Sequence, residues 1–511
     1  MQATTTQDLD RSLVRSVAWN TVCDWTSQVL SWASFLVVMR LLTPADFGIA
    51  AMAALLLPYL QQMTTFGMAR AIVALRDLSE DQLAQLSTVS FVSAVALFAI
   101  SVPCSPLVAA FFRTPQLSKV FIISCLGLIP LGLQVVPSGV LARDLRFRLL
   151  SVCGAAHAAS SAIVTLAMAY FGCGYWALVV GNVSGTVVRM ALVLRACPCR
   201  MALPKWRVIR EPLTFCRQLV VSTLAFSSYQ RLDNFTAGKV LGQSALGFYG
   251  SAWALANVPL EKITTLVVTV IPSYLAAVQN QPSELRRYLR TVTETVALAA
   301  FPATVGLSLI ARELVPFAFG YKWDGMIRPL QVLSFYAAFR SVSAIPPKLL
   351  TSIGNARSVM WNDLLALILL PVAFYVGSFR GIAGIAWGWV AAYPLVALPI
   401  YRKTFQTIGM STTEYIRALF PALEATAAMI LTVVFVKRGF PATWPLPTRL
   451  LTEISAGATA YVVALAVRHR DRMIALFSIA ASAWATRSRS NLRKGSVPEV
   501  NSEAQAVVET R

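Results

Sequence analysis

Polar side chains recur at helical spacing through one apolar stretch near the amino terminus. Five of them stand three or four residues apart: Asn20, Asp24, Ser27, Ser31 and Ser34. This spacing places them on one face of a helix, and Gln28 widens that face. Such a face can line a water-filled cavity and bind a hydroxylated substrate. It can also hydrogen-bond to neighbouring helices, and both interpretations remain open from the residues alone.

A second polar stripe with the same spacing lies near the middle of the chain. It consists of Thr223, Ser227, Gln230 and Asn234. When the chain is shifted by 199 residues, Asp24, Gln28 and Ser31 of the first stripe align with Thr223, Ser227 and Gln230 of the second. The two stripes therefore predict equivalent helices that face one cavity from two sides.

Four basic side chains fall within long apolar stretches rather than between them: Arg189, Arg231, Lys262 and Arg340. Lys262 and Arg340 lie near the middle of their stretches, whereas Arg189 and Arg231 lie nearer the ends, where a long side chain can reach the surface. The carboxylates available for structural ion pairs are Asp24, Asp233, Glu261, Asp363 and Glu424. The alternative, which we favour, is a cationic cavity for an anionic substrate.

The apolar stretches that carry these residues are long enough to cross a lipid bilayer, which needs about 20 residues per helix. Hydrophobic residues make up 57% of the 511 residues and charged residues 13%. We predict fourteen spans: 17–38, 47–69, 83–110, 120–141, 149–171, 175–194, 213–237, 245–275, 292–311, 329–347, 359–378, 381–401, 416–436 and 450–467. The fold class is therefore an all-α polytopic membrane protein.

The net charge of +21 is concentrated in alternate connections between the spans and in the tail. Basic residues are frequent in the even-numbered connections and sparse in the odd-numbered ones. The positive-inside rule then places both termini and the basic loops in the cytoplasm. The same distribution explains the charge without a nucleic-acid partner, and we expect none.

Two segments 199 residues apart indicate an internal duplication. Arg40 and Gly48 in the first connection correspond to Lys239 and Gly247 in the seventh. Transporter folds are often built from such repeats, with the substrate site between them. We predict five regions: an amino-terminal six-helix lobe (1–194), a cytoplasmic linker (195–217), a carboxy-terminal six-helix lobe (218–401), two extra spans (402–470) and a partly disordered cytoplasmic tail (471–511).

Motifs for other chemistry are missing. The sequence contains no Walker A motif, no G-x-S-x-G and no H-E-x-x-H. Cys197 and Cys199 lack a second pair or a histidine at zinc spacing, so we expect no metal and no cofactor. The outward connections are too short for the external domain that a membrane-embedded polymerase, ligase or glycosyltransferase usually carries, although such an enzyme remains the alternative from another class.

Several segments resemble a known family. They are Arg40–Gly48, Gly174–Leu178, Gly320–Trp323 with Pro329–Ser334, Gly354–Arg357 and Glu414–Pro421. In order and spacing they are similar to the Wzx-like flippases, or polysaccharide transporters, of the multidrug/oligosaccharidyl-lipid/polysaccharide exporter superfamily. The resemblance covers roughly residues 12–470 and implies two six-helix lobes in a V, two further helices and a bacterial inner membrane.

The resemblance also implies a substrate. It would be a polyprenyl-diphosphate-linked oligosaccharide repeat unit, flipped from the cytoplasmic to the periplasmic face for exopolysaccharide, O-antigen or capsule synthesis. A cognate polymerase and export machinery are implied as partners. The family has no strict binding signature, so the expected site residues are those of the stripes and the mid-span cations above. A multidrug exporter and a lipid II flippase of the same superfamily remain alternatives.

The driving force is a separate expectation. A proton gradient, a sodium gradient or the membrane potential could drive the cycle. Asp24 is the carboxylate we expect to couple an ion, because it lies on the polar face of the first span.

Overall fold

The computed structural model describes residues 26–75, 78–205, 210, 214, 230–268, 281–439 and 444–470, with the backbone alone at 262–268 and 356. The regular elements in these ranges are all helical. The first half contains α1 (26–41), α2 (Pro44–Thr65), α3 (Met68–Ala74), α4 (Glu80–Phe111), α5 (Leu117–Leu126), α6 (Leu128–Arg143), α7 (Phe147–Tyr170) and α8 (Trp176–Ala196).

The later part begins with a short helix that changes to a π-helix, Ala237–Leu241. A 3-10 turn, Tyr321–Met326, joins two of its longer helices. The α-helices are α9 (Leu232–Thr236), α10 (Gln243–Val268), α11 (Pro282–Phe319), α12 (Ile327–Ser343), α13 (Ile345–Ser352), α14 (Ala356–Ser378), α15 (Gly381–Ile408), α16 (Thr412–Gly439) and α17 (Leu446–Arg468).

Within the described residues, ten helical segments are long and apolar enough to cross a membrane. Each coincides with one of the predicted spans, so the prediction of an all-helical polytopic membrane protein is confirmed. The total of fourteen stays a prediction, because the first, seventh and eighth spans lie partly outside the described residues. The predicted tenth span is a helix that breaks near Ala344 into α12 and α13.

Local sequence explains where the helices begin. Thr43 caps α2, with Asp46 completing a capping box and Pro44 occupying the first helical position. Ser79 and Gln82 form the same box at the start of α4. These side chains satisfy backbone amides that have no partner inside the helix.

The first part of the predicted linker lies along the amino-terminal end of α4. The backbone amide of Ala202 donates to the carbonyl of Ala84, 3.4 Å away, and the amide of Lys205 donates to the side chain of Gln85, 2.9 Å away. Arg200 forms an exposed ion pair with Glu80. Residues 200–205 are therefore attached to the first half of the chain. The tail from 471 lies outside the described residues.

The two halves meet where α2 crosses α10. A Cβ atom added to Gly48 would lie 1.8 Å from the carbonyl oxygen of Gln243, and one added to Gly247 would lie 1.8 Å from that of Pro44. Gln243 is Pro44 shifted by 199 residues, and Gly247 is Gly48 shifted by the same number. The two contacts therefore exchange under the shift, which is the pattern of a local two-fold axis. The lobe boundaries themselves stay a prediction.

This crossing leads to a stability prediction. Gly48→Ala should destabilise the fold by about 1–3 kcal/mol, because the added methyl group overlaps backbone atoms that cannot move aside. The matched control is Gly306→Ala, where an added Cβ meets nothing within 4 Å in the described structure and a helix interior favours alanine. Thermal unfolding in detergent measures both variants. An unchanged midpoint for Gly48→Ala would show that the helices do not cross this closely.

Candidate substrate cavity

A cavity of about 500 Å³ lies between the two halves. This volume falls within the range of small-molecule sites, and most of the lining is apolar, as such sites usually are. The first half contributes Phe35, Phe47, Ala50, Ala51, Ala54, Leu57, Pro58, Gln61, Ser124, Leu178, Val179, Asn182 and Val183. The second half contributes Arg231, Leu246, Gly247, Gly250, Ser251 and Ala254. We call this space the central cavity.

Arg231 is the one charged side chain among the described residues that line the central cavity. It stands at the start of α9, immediately before the helix begins. No hydrogen bond or ion pair joins its guanidinium to another described residue. No described residue neutralises Arg231, so its guanidinium offers a positive charge and up to five donors to whatever enters the cavity.

Arg340 is held in a fixed orientation on α12. Its guanidinium donates to the side-chain oxygen of Asn257, 2.9 Å away, and lies 5.4 Å from the ring centroid of Trp253. No carboxylate within the described part of the chain forms an ion pair with it. Asn257 lies one helical turn beyond Ala254, so Arg340 is close to the end of the central cavity without lining it.

The other two predicted cations are placed differently. Lys262 lies in α10, but its side chain is outside the description. Arg189 lies on α8, within electrostatic reach of Cys153 and His157 on α7, and its buried Nε atom has no hydrogen-bond partner among the described residues. It does not line the central cavity.

The predicted polar stripes are only partly described. Asn20, Asp24, Thr223 and Ser227 lie outside the described residues. Ser27 and Gln28 belong to the first turn of α1 that the structure describes, and Gln230 lies just before α9. Asn234 donates from its side chain to Asp233, 2.9 Å away. Ser31 and Ser34 line a second, smaller cavity described below.

Asp233 is a buried carboxylate that the sequence suggested only as a partner for cations. It is 0% exposed. One oxygen accepts from the backbone and side-chain amides of Asn234, and the other accepts from the Tyr249 hydroxyl and the Trp389 indole, each 2.9 Å away. Neutral donors from α10 and α15 thus satisfy this charge, and no described cation pairs with it.

Arg40 and Lys239, which correspond under the 199-residue shift, join the two halves of the chain. They do so at helix ends that we predict to face outwards. The Arg40 guanidinium donates to the carbonyl oxygens of Phe317 (2.7 Å) and Ala318 (2.8 Å), in the last turn of α11. The Lys239 ammonium donates to the carbonyl oxygen of Phe111, the last residue of α4. Cations are favourable at helix carboxyl ends. Each half therefore caps a helix of the other.

Two further bonds strengthen this connection between the halves. The Trp323 indole donates to the Met39 carbonyl oxygen, and the Lys322 ammonium donates to the Arg40 carbonyl oxygen, both at 2.7 Å. Trp323 is fully buried and packs edge-on against Phe47, which lines the central cavity. These contacts therefore join the two halves at the predicted outward end, next to the part of the cavity wall that Phe47 forms.

The sequence profile of the family described as "Polysaccharide biosynthesis protein" matches residues 37–328, more than half of the chain. The chain belongs to this family. The match includes α2, α10 and the Arg40 and Lys239 segments, so all of the described cavity lining except Phe35 falls within the family's matched region.

Relatives of this polysaccharide biosynthesis protein have transport and biosynthesis roles. It is 21% identical over 437 residues to WzxC, a lipopolysaccharide biosynthesis protein of Escherichia coli strain K12, covering 81% of this chain and 85% of WzxC. It is 22% identical over 491 residues to ExoT, a succinoglycan biosynthesis transport protein of Rhizobium meliloti strain 1021, covering 92% and 96%.

The lipid II flippase MurJ, solved in an inward closed conformation, superposes with a TM-score of 0.71 at 14% identity. The match covers 89% of this chain and 99% of MurJ, which establishes a shared fold. The predicted resemblance to Wzx-like polysaccharide transporters is therefore confirmed. The names of the relatives, such as the transport protein ExoT, agree with the prediction of a membrane transporter rather than an enzyme.

Proposed function

We propose that this protein is an alternating-access flippase that moves polyprenyl-diphosphate-linked oligosaccharides from the cytoplasmic to the periplasmic face of the bacterial inner membrane. The observation that carries the proposal is the central cavity, which holds the Arg231 guanidinium with no described partner and lies between halves that are joined at the predicted outward end. The names of the biosynthesis and transport relatives support the same class of cargo.

The chemistry of the cavity suits such a cargo. A diphosphate loses much of its hydration when it enters an apolar space, and a guanidinium offsets part of that cost with charge-assisted hydrogen bonds. Arg340 adds a second cation beside the cavity. The lipid tail stays in the bilayer while the polar head passes between the halves.

The membrane potential favours the proposed direction. An inside-negative potential assists the outward movement of an anion by about 2.3 kcal/mol per charge per 100 mV. A proton or sodium gradient would add to this, with Asp24 as the proposed coupling carboxylate. Asp233 is less suited to that role, because neutral donors already satisfy both of its oxygens.

The proposed topology places both termini in the cytoplasm, with a cognate polymerase and export machinery receiving the cargo outside. Deleting the gene should leave complete lipid-linked oligosaccharide units on the cytoplasmic face of the inner membrane. Lipid extraction from sidedness-controlled vesicles measures this, with the wild-type gene on a plasmid as control. Complete units that reach the outer face without being polymerised would overturn the proposal.

A further inference from the structure

A second cavity, of about 250 Å³, lies within the first half of the chain among α1, α7 and α8. Half of its lining is polar and uncharged, and the described lining contains no carboxylate, lysine or arginine. The lining residues are Ser31, Ser34, Phe35, Val38, His157, Ala158, Ser161, Ala162, Thr165 and Leu178. We call it the side pocket.

The hydroxyl groups of the side pocket have no partner in the described part of the chain. Elsewhere, serine and threonine hydroxyls within helices commonly donate to a carbonyl one turn earlier, as Thr64, Ser151 and Thr404 do. Ser34 and Thr165 are only 7% and 8% exposed, yet they make no such bond. Buried polar groups are normally satisfied, so these hydroxyls are available to a ligand or to water.

The approach of α7 to α8 depends on glycines. A Cβ on Gly181 would lie 1.9 Å from the Thr165 hydroxyl, and one on Gly185 would lie 2.9 Å from His157 Nδ1. That Nδ1 atom is buried, and the His157 imidazole lies within hydrogen-bonding reach of the Gly185 backbone. Small residues bring the helices together, and the absence of side chains at these glycines leaves room for Thr165 and His157 at the edge of the pocket.

The side pocket adjoins the central cavity. Phe35 and Leu178 line both spaces, so they form the partition between them. The hydroxyls on one side and Arg231 on the other therefore form two chemically different compartments next to each other. One is neutral and rich in hydrogen-bonding groups, whereas the other carries a positive charge.

We propose that the side pocket binds a neutral sugar ring of the transported saccharide while the diphosphate lies near Arg231. This inference rests on the proposed function and adds a specificity site to it. Hydroxyls both donate and accept, so the serine and threonine side chains of the side pocket match the hydroxyls of a sugar. Phe35, Val38 and Leu178 supply an apolar wall.

The test compares two lipids on the purified full chain in nanodiscs. The probes are undecaprenyl diphosphate and the lipid-diphosphate oligosaccharides extracted from native membranes. The double variant Ser34→Ala/Thr165→Val removes two hydroxyls with little change of shape. It should lower the affinity for the oligosaccharide lipid by about tenfold, from two lost hydrogen bonds, and leave the affinity for undecaprenyl diphosphate unchanged.

Two further variants test whether the loss of affinity is specific to the side pocket. Ser161→Phe fills the side pocket and should give the same selective loss. Ser151→Ala removes a hydroxyl of α7 that is bonded to Phe147 and lies outside the pocket, so it should change neither affinity.

Several outcomes would overturn the inference. Equal losses for both lipids would indicate a structural role, and no loss for either would indicate that the pocket holds only water. Wild-type protein that binds both lipids equally well would have no sugar site at all. Wild-type protein that binds neither lipid would contradict the proposed function itself.

Discussion

The Arg231→Ala variant is expected to lower the rate of lipid-linked oligosaccharide flipping by about tenfold or more. Arg231 is the charged group of the described cavity lining, and no described residue neutralises it. Hydrogen bonds to charged groups contribute about 1.5–3 kcal/mol each, and 1.4 kcal/mol corresponds to a factor of ten. Flipping is measured in proteoliposomes by the accessibility of a labelled sugar to an external enzyme.

Two further variants separate the loss of the positive charge at position 231 from a general effect on folding. Arg231→Lys keeps the positive charge and should retain much of the rate, although it loses the bidentate geometry of a guanidinium. Arg380→Ala removes an exposed arginine outside the cavity and should have no effect. Full activity of Arg231→Ala would mean that the diphosphate does not pass this side chain.

The double variant Arg40→Ala/Lys239→Ala is expected to open the end of the molecule at which the halves are joined. It removes three hydrogen bonds that cross between the halves. Arg40 is exposed and Lys239 is half-buried, so solvent weakens each bond, and about 0.5–1 kcal/mol per bond is a suitable value. The sum of roughly 2 kcal/mol shifts the balance between closed and open states by roughly thirtyfold.

Spin labels measure this shift without any substrate. Nitroxides at Gln116 and Asp324, which are exposed at the same end but belong to different halves, report the distance in a cysteine-free background. The double variant should populate a longer distance. Lys119→Ala, which removes a nearby exposed lysine, should not. Identical distance distributions for the double variant and the wild type would show that these cations do not hold the end closed.

The sequence allowed some of this arrangement to be predicted. The 199-residue shift identified Arg40 with Lys239 and Gly48 with Gly247 before any contact was known. It did not indicate that each cation would cap a helix of the other half, because that depends on how the halves pack. Apolar length placed the spans well, since the bilayer fixes the length of each apolar run.

Other features needed the structure. Arg189 and Arg231 have the same chemistry and similar positions in their spans, yet only Arg231 lines the central cavity. Helical position alone does not fix which neighbour a side chain meets. The sequence does contain a signal for the side pocket, because His157, Ser161 and Thr165 follow one another at intervals of four residues. This spacing is the same kind that revealed the stripe on α1, and it marks the opposite wall of the side pocket.

The crossing of α2 with α10 has the geometry of a homodimer interface made within a single chain. Gly48 meets Gln243 and Gly247 meets Pro44, and the 199-residue shift converts the first contact into the second. Identical subunits form such paired contacts across a two-fold axis. A protein half this long could form the same contact twice with a second copy of itself. Joining the two copies in one chain allows the halves to diverge. One half can then carry the side pocket and the other the Arg231 guanidinium, while the crossing of α2 with α10 stays symmetric.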